Sequence, residues 1–321
     1  MKFIFPAFLL LIASAIAARG GTLDSFLRGA GCIRVPLERT VDNRMIVYGS
    51  LNGEPLALYV DTGSAGTLID ARRAERFKLQ DLRTGRSIFG AVGGTLPAIG
   101  TMARTITLGR MSVTRFPMRV SELELNADNA ARQLTRPVDG ILGMDFLGPT
   151  RAIIDGINAV LYFPPPVFSQ NKAADFRAGL LAGGAAEVPL SRYMTLSASV
   201  RDQSFRLMLD TGSTFTTIDQ VELEVLRLKP AGSPYVITAI GNQRRSVGTT
   251  TVKNLKLGAC VIRESTIGAC DFSDLNNNLA RQDAPRIQGL LGCELLWLYG
   301  AIVDCGNRRL FLTHPNGATG R

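Results

Sequence analysis

Histidine is nearly absent. The one copy, His314, stands close to the end of the 321 residues. That removes Ser-His-Asp and Cys-His schemes and makes a histidine-rich metal site untenable. Any chemistry has to use other side chains, and aspartate is the obvious reservoir. No C-x-x-C pair occurs among the five cysteines, Cys32, Cys260, Cys270, Cys293 and Cys305, which argues against zinc or thioredoxin chemistry. Their odd number leaves at least one thiol unpaired, while the spacing of Cys260 and Cys270 suits a staple across a local hairpin. No long basic run and no nucleic-acid motif accompany the net charge of +9 and pI near 9.7, so the charge reads as a solvated basic surface and no nucleic-acid partner is expected. Only one apolar stretch approaches the length of a membrane span, and it lies at the start.

That stretch reads as a signal peptide. Lys2 gives a positive beginning, Phe3 to Ile16 is apolar, and Ala15-Ile16-Ala17 is a small-x-small cleavage site. Residues 1–17 are expected to be removed, leaving an exported chain, periplasmic or secreted. An uncleaved signal would be its one route to a membrane. The remainder is 46% hydrophobic and 20% charged, with ample material for a core. At about 100–200 residues per domain the length suggests two domains or one large one. Abundant Gly (33) and Pro (15) favour a turn-rich, β-rich fold.

The chain contains itself twice. Val60-Asp61-Thr62-Gly63-Ser64 recurs as Leu209-Asp210-Thr211-Gly212-Ser213. At the same offset, Gly140-Ile141-Leu142-Gly143 recurs as Gly289-Leu290-Leu291-Gly292, and Ala152-Ile153-Ile154-Asp155 as Ala301-Ile302-Val303-Asp304. Leu108-Gly109 with Leu257-Gly258, and Ile69-Asp70 with Ile218-Asp219, complete the series. A constant offset across five separated matches implies two copies of one fold related by a pseudo-twofold axis. The first copy is placed at 33–163 and the second at 187–314. A linker over 164–186 opens on Pro164-Pro165-Pro166, where proline disfavours regular structure. Each half reads as mainly β. An apolar strand runs into each Asp-Thr-Gly and a strand leaves it. Asp70 and Asp219 are expected to cap the helices that follow, and Asp145 and Glu294 to begin short apolar helices. Asp155 and Asp304 are expected to close tight turns.

A lone Asp-Thr-Gly means little, but two in register are specific. Each aspartate stands at the tip of a turn after a buried strand, and Gly63 and Gly212 are expected to permit a tight backbone there. A twofold axis would bring the tips together. Two carboxylates forced close cannot both ionise, so they share one proton. The ionised one takes a proton from water and the protonated one donates to a carbonyl oxygen, which activates water for attack on an amide. Thr62 and Thr211 have hydroxyls suited to cross-linking the turns. Ser64 and Ser213 are expected to donate to the carboxylates.

On these residues the chain resembles the aspartic proteases of the pepsin/retropepsin group, and most of all the exported bacterial proteins that carry two retropepsin-sized repeats in one chain. The resemblance covers most of 33–315. It implies a mainly β, bilobal acid-protease-like fold with a cleft between the lobes. It implies Asp61 and Asp210 as the catalytic dyad, with Gly143 and Gly292 packed beneath the two Asp-Thr-Gly loops. It also implies a Gly-rich hairpin flap, matched by Ser87–Gly94 with Phe89, Gly90, Gly93 and Gly94 as the substrate-facing residues, and by Ile237–Asn242 in the second half. Phe89 stands where pepsin-like flaps carry tyrosine, and no long basic pro-segment precedes the first strand. The function expected is an exported endopeptidase that needs no metal or organic cofactor, takes a protein or peptide as an extended strand, and completes its site within one monomer. The alternatives are a non-catalytic peptide-binding or inhibitor protein and a processing protease dedicated to one partner.

Overall fold

The computed structural model describes residues 23–90, 94–125, 134, 136–168, 170–232, 234–239 and 243–313. Residues 1–17, where a signal peptide is expected, Gly93, Ile240-Gly241-Asn242 and His314 lie outside them. The fold is mainly β, in two lobes of matching topology.

In the first lobe Met45–Leu51 and Glu54–Val60 form an antiparallel hairpin. Its turn is Asn52-Gly53, both with positive φ (54° and 93°), the pairing that a two-residue hairpin favours. Glu54–Val60 delivers the chain to Asp61, and Leu68–Asp70 carries it away. Between these two strands runs Gly140–Leu142, parallel to the first (Leu58 opposite Gly140, Val60 opposite Leu142) and antiparallel to the second. Every residue of Leu68–Asp70 and Gly140–Leu142 is buried, as expected for apolar runs covered on both faces. The second lobe repeats the arrangement. Gly289–Leu291 lies between Gln203–Leu209 and Thr217–Asp219.

Six strands at one end of a 13-stranded sheet join the lobes, in the order Ala185–Pro189, Arg309–Thr313, Ile302–Asp304, Ile153–Asp155, Val160–Phe163 and Ile33–Arg39. At its centre Ile154 pairs with Val303, flanked by Ile302–Asp155 and Asp304–Ile153. The repeat offset itself therefore sets the register, and the pseudo-twofold axis passes between Ile154 and Val303.

Two expectations about the connector and its neighbours need correction. The segment 164–186 is not irregular. It holds the helix Gln170–Ala182, and the strand Ala185–Pro189 begins before the segment ends. The three prolines act only at the entry, and the residues beyond them are mostly good helix formers. Phe176 anchors the helix on the sheet among Leu27, Tyr162 and Phe311, and Arg177 forks onto Glu187 at 2.8 and 2.5 Å. The second correction concerns the caps. Asp70 caps Ala71–Ala74, accepting from Arg72 N–H at 3.1 Å. Asp219 caps nothing. The helix there is only Glu222–Val225, begun by Val221, and Asp219 pairs with Arg286 at 3.0 Å. Buried Glu222 takes the same arginine at 2.9 Å.

The cysteine staple does not form. Cys260 and Cys270 are the two ends of one strand, about 33 Å apart at roughly 3.3 Å per residue. All five thiols are free and buried. Burial pushes Cys32 and Cys260 up to about 11 and Cys270 to about 12. Ellman's reagent is therefore expected to label no thiol in the native protein and all five after denaturation. Rapid labelling of a native thiol would contradict this packing. No helix among the described residues is long and apolar enough to cross a membrane.

Candidate active site

The two Asp-Thr-Gly loops meet on the axis and grip each other. Thr62 N–H donates to Thr211 Oγ1 at 3.0 Å, and Thr211 N–H donates to Thr62 Oγ1 at 3.1 Å. Each hydroxyl then donates across the lobe boundary, Thr62 to Leu209 O at 2.9 Å and Thr211 to Val60 O at 2.8 Å. Both threonines are 2% exposed. Every polar atom of this cross-link finds a partner in the opposite loop, so it is satisfied without water. It is the cross-link expected of these side chains.

The carboxyls of Asp61, half-buried, and Asp210, buried, meet on the axis, each standing against the glycine of the opposite loop. Asp61 Oδ1 also accepts from the backbone N–H groups of Gly63 at 2.8 Å and Ser64 at 3.0 Å. Asp210 Oδ1 accepts from Gly212 N–H at 2.9 Å. The glycines serve a purpose other than the one expected. Neither has a positive φ. What excludes a side chain is the opposite carboxylate. An ideal Cβ on Gly63 would stand 2.5 Å from Asp210 Oδ1, and one on Gly212 2.4 Å from Asp61 Oδ2. The serine hydroxyls also differ from expectation. Ser64 Oγ donates to Gly66 O at 2.7 Å and Ser213 Oγ to Phe215 O at 2.9 Å. They tie down the loop ends, and it is the backbone N–H groups that reach the aspartates, Ser64 N–H the carboxyl of Asp61 and Ser213 N–H the main-chain carbonyl of Asp210 at 3.2 Å.

Burial raises both carboxyls above the ordinary range. For Asp61 the rise is offset by the hydrogen bond from Asp210, by the N–H groups of Ser64 and Gly63, and by the charge of Arg44. For Asp210 burial acts together with the negative charge of Asp61 and takes it well above the ordinary range. Two raised carboxyls this close titrate as a pair and share one proton between their two ionisations. The consequence for stability has a definite sign. A carboxyl raised on folding contributes stability that is present below its unfolded pKa and lost as pH rises through the folded one. Asp210→Asn removes that loss. Its Tm is expected to exceed wild type at pH 7–8, by on the order of 1 kcal/mol of stability, and the gap to close toward pH 3–4. A variant less stable than wild type throughout that range would contradict the raised Asp210 carboxyl.

Beneath each loop lies a brace that sequence reasoning missed. Thr67 Oγ1 accepts from Gly143 N–H at 3.1 Å and donates to Asp145 Oδ1 at 2.7 Å, while Thr67 N–H donates to Asp145 Oδ2 at 2.9 Å. In the second lobe Thr216 Oγ1 accepts from Gly292 N–H at 3.0 Å, and Thr216 N–H donates to Glu294 Oε1 at 2.6 Å. The acids at the two helix starts, read as caps, thus reach across to the loops. The signal was present, since a threonine stands six residues after each aspartate. Gly143 and Gly292 do pack under the loops, as the resemblance implied. Asp155 and Asp304 close turns as expected, accepting from Asn158 N–H at 3.0 Å and Asn307 N–H at 2.9 Å.

The Gly-rich hairpin of the first lobe is formed by Gln80–Phe89 and Thr95–Leu108, with Phe89 opposite Thr95. Gly90 N–H donates to Gly94 O at 3.1 Å, and Gly94 takes φ +92°. Phe89 is half-buried. The second hairpin pairs Tyr235–Ala239 with Gln243–Val247. Among the described residues no group of histidine, cysteine, aspartate and glutamate is arranged to hold a metal ion.

Fold and site together define a duplicated, two-lobed protein with two facing carboxyls on its axis. A model of the aspartyl protease family matches residues 47–146 and again 196–295, at the repeat's own offset. The chain belongs to the aspartyl protease family. No curated protein matches it. Among solved structures, the aspartic proteinase from Irpex lacteus aligns with 90% of this chain and 99% of that one, at 16% identity and a TM-score of 0.48.

Proposed function

We propose that the chain is an exported endopeptidase in which Asp61 and Asp210 activate a water for attack on a peptide bond. The observation that carries this reading is the pair of carboxyls, each set against the opposite loop's glycine and held there by the reciprocal Thr62–Thr211 grip. Asp61, ionised, is the general base that takes a proton from the water. Asp210, protonated, donates to the substrate carbonyl oxygen, so the tetrahedral intermediate forms without an attached acyl group. When it collapses, the proton gained by Asp61 passes to the leaving amine, a hydroxyl of the intermediate returns its proton to Asp210 as the product carboxyl forms, and the pair regains its starting state. The reciprocal grip keeps the carboxyls from separating as charge moves, so little reorganisation accompanies the step.

The substrate lies extended beneath the Phe89–Gly94 hairpin, where strand-like binding uses main-chain hydrogen bonds and leaves side chains to set preference. Export is taken from the sequence of residues 1–17, and one chain supplies the whole site. The test is cleavage of an unstructured protein by the chain lacking those residues, from pH 3 to 8, with products identified by mass. Internal cleavage with a bell-shaped pH profile supports the reading. Removal of terminal residues alone would overturn the endopeptidase assignment, and binding without cleavage at every pH would overturn the catalytic one.

A further inference from the structure

The pseudo-twofold makes the two loops alike, yet the two aspartates are not equal. The repeat breaks beside them at the turn Thr40–Arg44. Asp42 there accepts from the Thr40 hydroxyl, and its Oδ2 takes Arg44 Nε and a terminal guanidinium nitrogen, both at 2.8 Å. The pair is largely covered, with the side chains 14% and 22% exposed. This turn is fastened to the opposite lobe. Thr214, four residues after Asp210, donates its hydroxyl to Asp42 Oδ2 at 3.2 Å, and Trp297 Nε1 donates to Asn43 O at 2.7 Å. The Arg44 guanidinium lies 4.3 Å over the ring of Tyr59. Ile46 pairs with Tyr59 in the Met45–Leu51/Glu54–Val60 hairpin, and Asp61 follows that strand's last residue, so the register continued two positions sets Arg44 alongside Asp61.

The matching turn of the second repeat, Ser191–Thr195, carries none of this. It holds no carboxylate, its Ser191 and Thr195 hydroxyls bond each other at 2.8 Å, and its Arg192 is exposed and lies over Tyr193. Other ionisable groups around the loops are accounted for. Cys293 donates its thiol to Thr211 O at 3.2 Å, and burial keeps it neutral. Glu294 and Asp145 are held by Thr216 and Thr67, and the charge of Arg119 acts on Asp145. Arg39 donates to Gly156 O and lies over Trp297, with its charge felt by Cys293 and Asp155.

We propose that the Asp42–Arg44 pair makes the two aspartates unequal: clamped by Thr214, it holds a cation on the Asp61 side, so that Asp61 is the ionised partner and Asp210 keeps the proton. Arg44 is a positioning residue in this scheme and touches no reacting atom. The scheme rests on the two-aspartate reading above. It says which member of the pair is the base, and it ascribes that choice to one residue outside both Asp-Thr-Gly loops.

The experiment compares wild type, Arg44→Gln and Arg44→Lys by the pH profile of kcat/KM. In parallel, carbon-13 NMR follows the carboxyl titration of Asp61 in the full folded chain. Removing the charge in Arg44→Gln is expected to move the acid limb, and the Asp61 midpoint, upward by about one pH unit. Arg44→Lys keeps the charge and is expected to stay near wild type. An unchanged limb and midpoint in Arg44→Gln overturn the proposal, as does a lysine variant shifted as far as the glutamine one, which would make packing the cause. Should Arg44→Gln not fold, Asp42→Asn replaces it. That variant leaves Arg44 uncompensated, so the acid limb should fall, and a rise or no change counts against the proposal. If wild type cleaves no substrate, the proposed function fails while the NMR midpoints still decide this inference.

Discussion

Asp61→Asn and Asp210→Asn are each expected to lower kcat/KM by about a thousandfold or more while leaving a folded protein. Asparagine nearly matches aspartate in shape, so the backbone N–H groups of Gly63, Ser64 and Gly212 keep an oxygen acceptor. What is lost is chemistry. An amide at position 61 cannot take a proton from water, and an amide at 210 cannot hand one to a carbonyl oxygen and recover it. Because the two groups act as a unit, the double variant should be little worse than either single one. Steady-state cleavage of one peptide by all four proteins, with Tm measured beside it, makes the check. Full activity in either single variant would end the two-aspartate mechanism. The stability readout keeps the outcomes apart, since Asp210→Asn is expected to be inactive and yet no less stable at neutral pH.

The second large effect is structural. Gly292→Ala and Gly143→Ala are expected to destabilise by about 2–4 kcal/mol, or to prevent folding. A Cβ on Gly292 would stand 2.4 Å from the Phe215 carbonyl carbon, and one on Gly143 2.5 Å from both C and O of Gly66. These are backbone atoms of the loops that carry the aspartates, so nothing flexible can move aside. Relief would have to come from lifting the loop off its brace, which breaks the Thr216–Gly292 or Thr67–Gly143 hydrogen bond and tilts one carboxyl away from the other. Gly179→Ala makes the control. It lies in the helix Gln170–Ala182 with open space around it, and alanine there should gain about 0.5–1 kcal/mol. Chemical denaturation of the three variants distinguishes close packing from a general intolerance of change. Equal stability of Gly292→Ala and wild type would refute the packing described for the loop.

Much of the site was legible because the repeat is exact where the loops meet. Asp61, Asp210, Thr62, Thr211, Gly143 and Gly292 all stand where the doubled pattern implied. The parts that were not legible have a common physical origin. The reason for Gly63 and Gly212 lies in the other lobe's carboxylate, and the partners of Ser64 and Ser213 lie along their own loops. Neither fact appears in a local pattern. Thr67 and Thr216 were visible as a repeated residue, but their task depends on a helix start nearly eighty positions away. Asp219 resembled Asp70 in every local respect and still went to Arg286, because a buried carboxylate beside a reachable guanidinium gains more from that ion pair than from an exposed helix end. The helix Gln170–Ala182 was hidden by the prolines before it, and only its packing through Phe176 shows what holds it.

By itself the sequence determined the duplication, the two lobes, the axis and the identity of the two carboxyls. Each of these follows from residue type at a fixed offset, and a symmetric fold propagates that offset unchanged into its central strand register. Only the tertiary structure decided what is unequal about the halves: which lobe carries the Asp42–Arg44 pair, where five thiols stay apart, and how one turn from the first lobe comes to rest on the second. Those depend on distances between segments that sequence leaves unrelated, and on burial, which turns a few ångströms between charges into a preference for one protonation state.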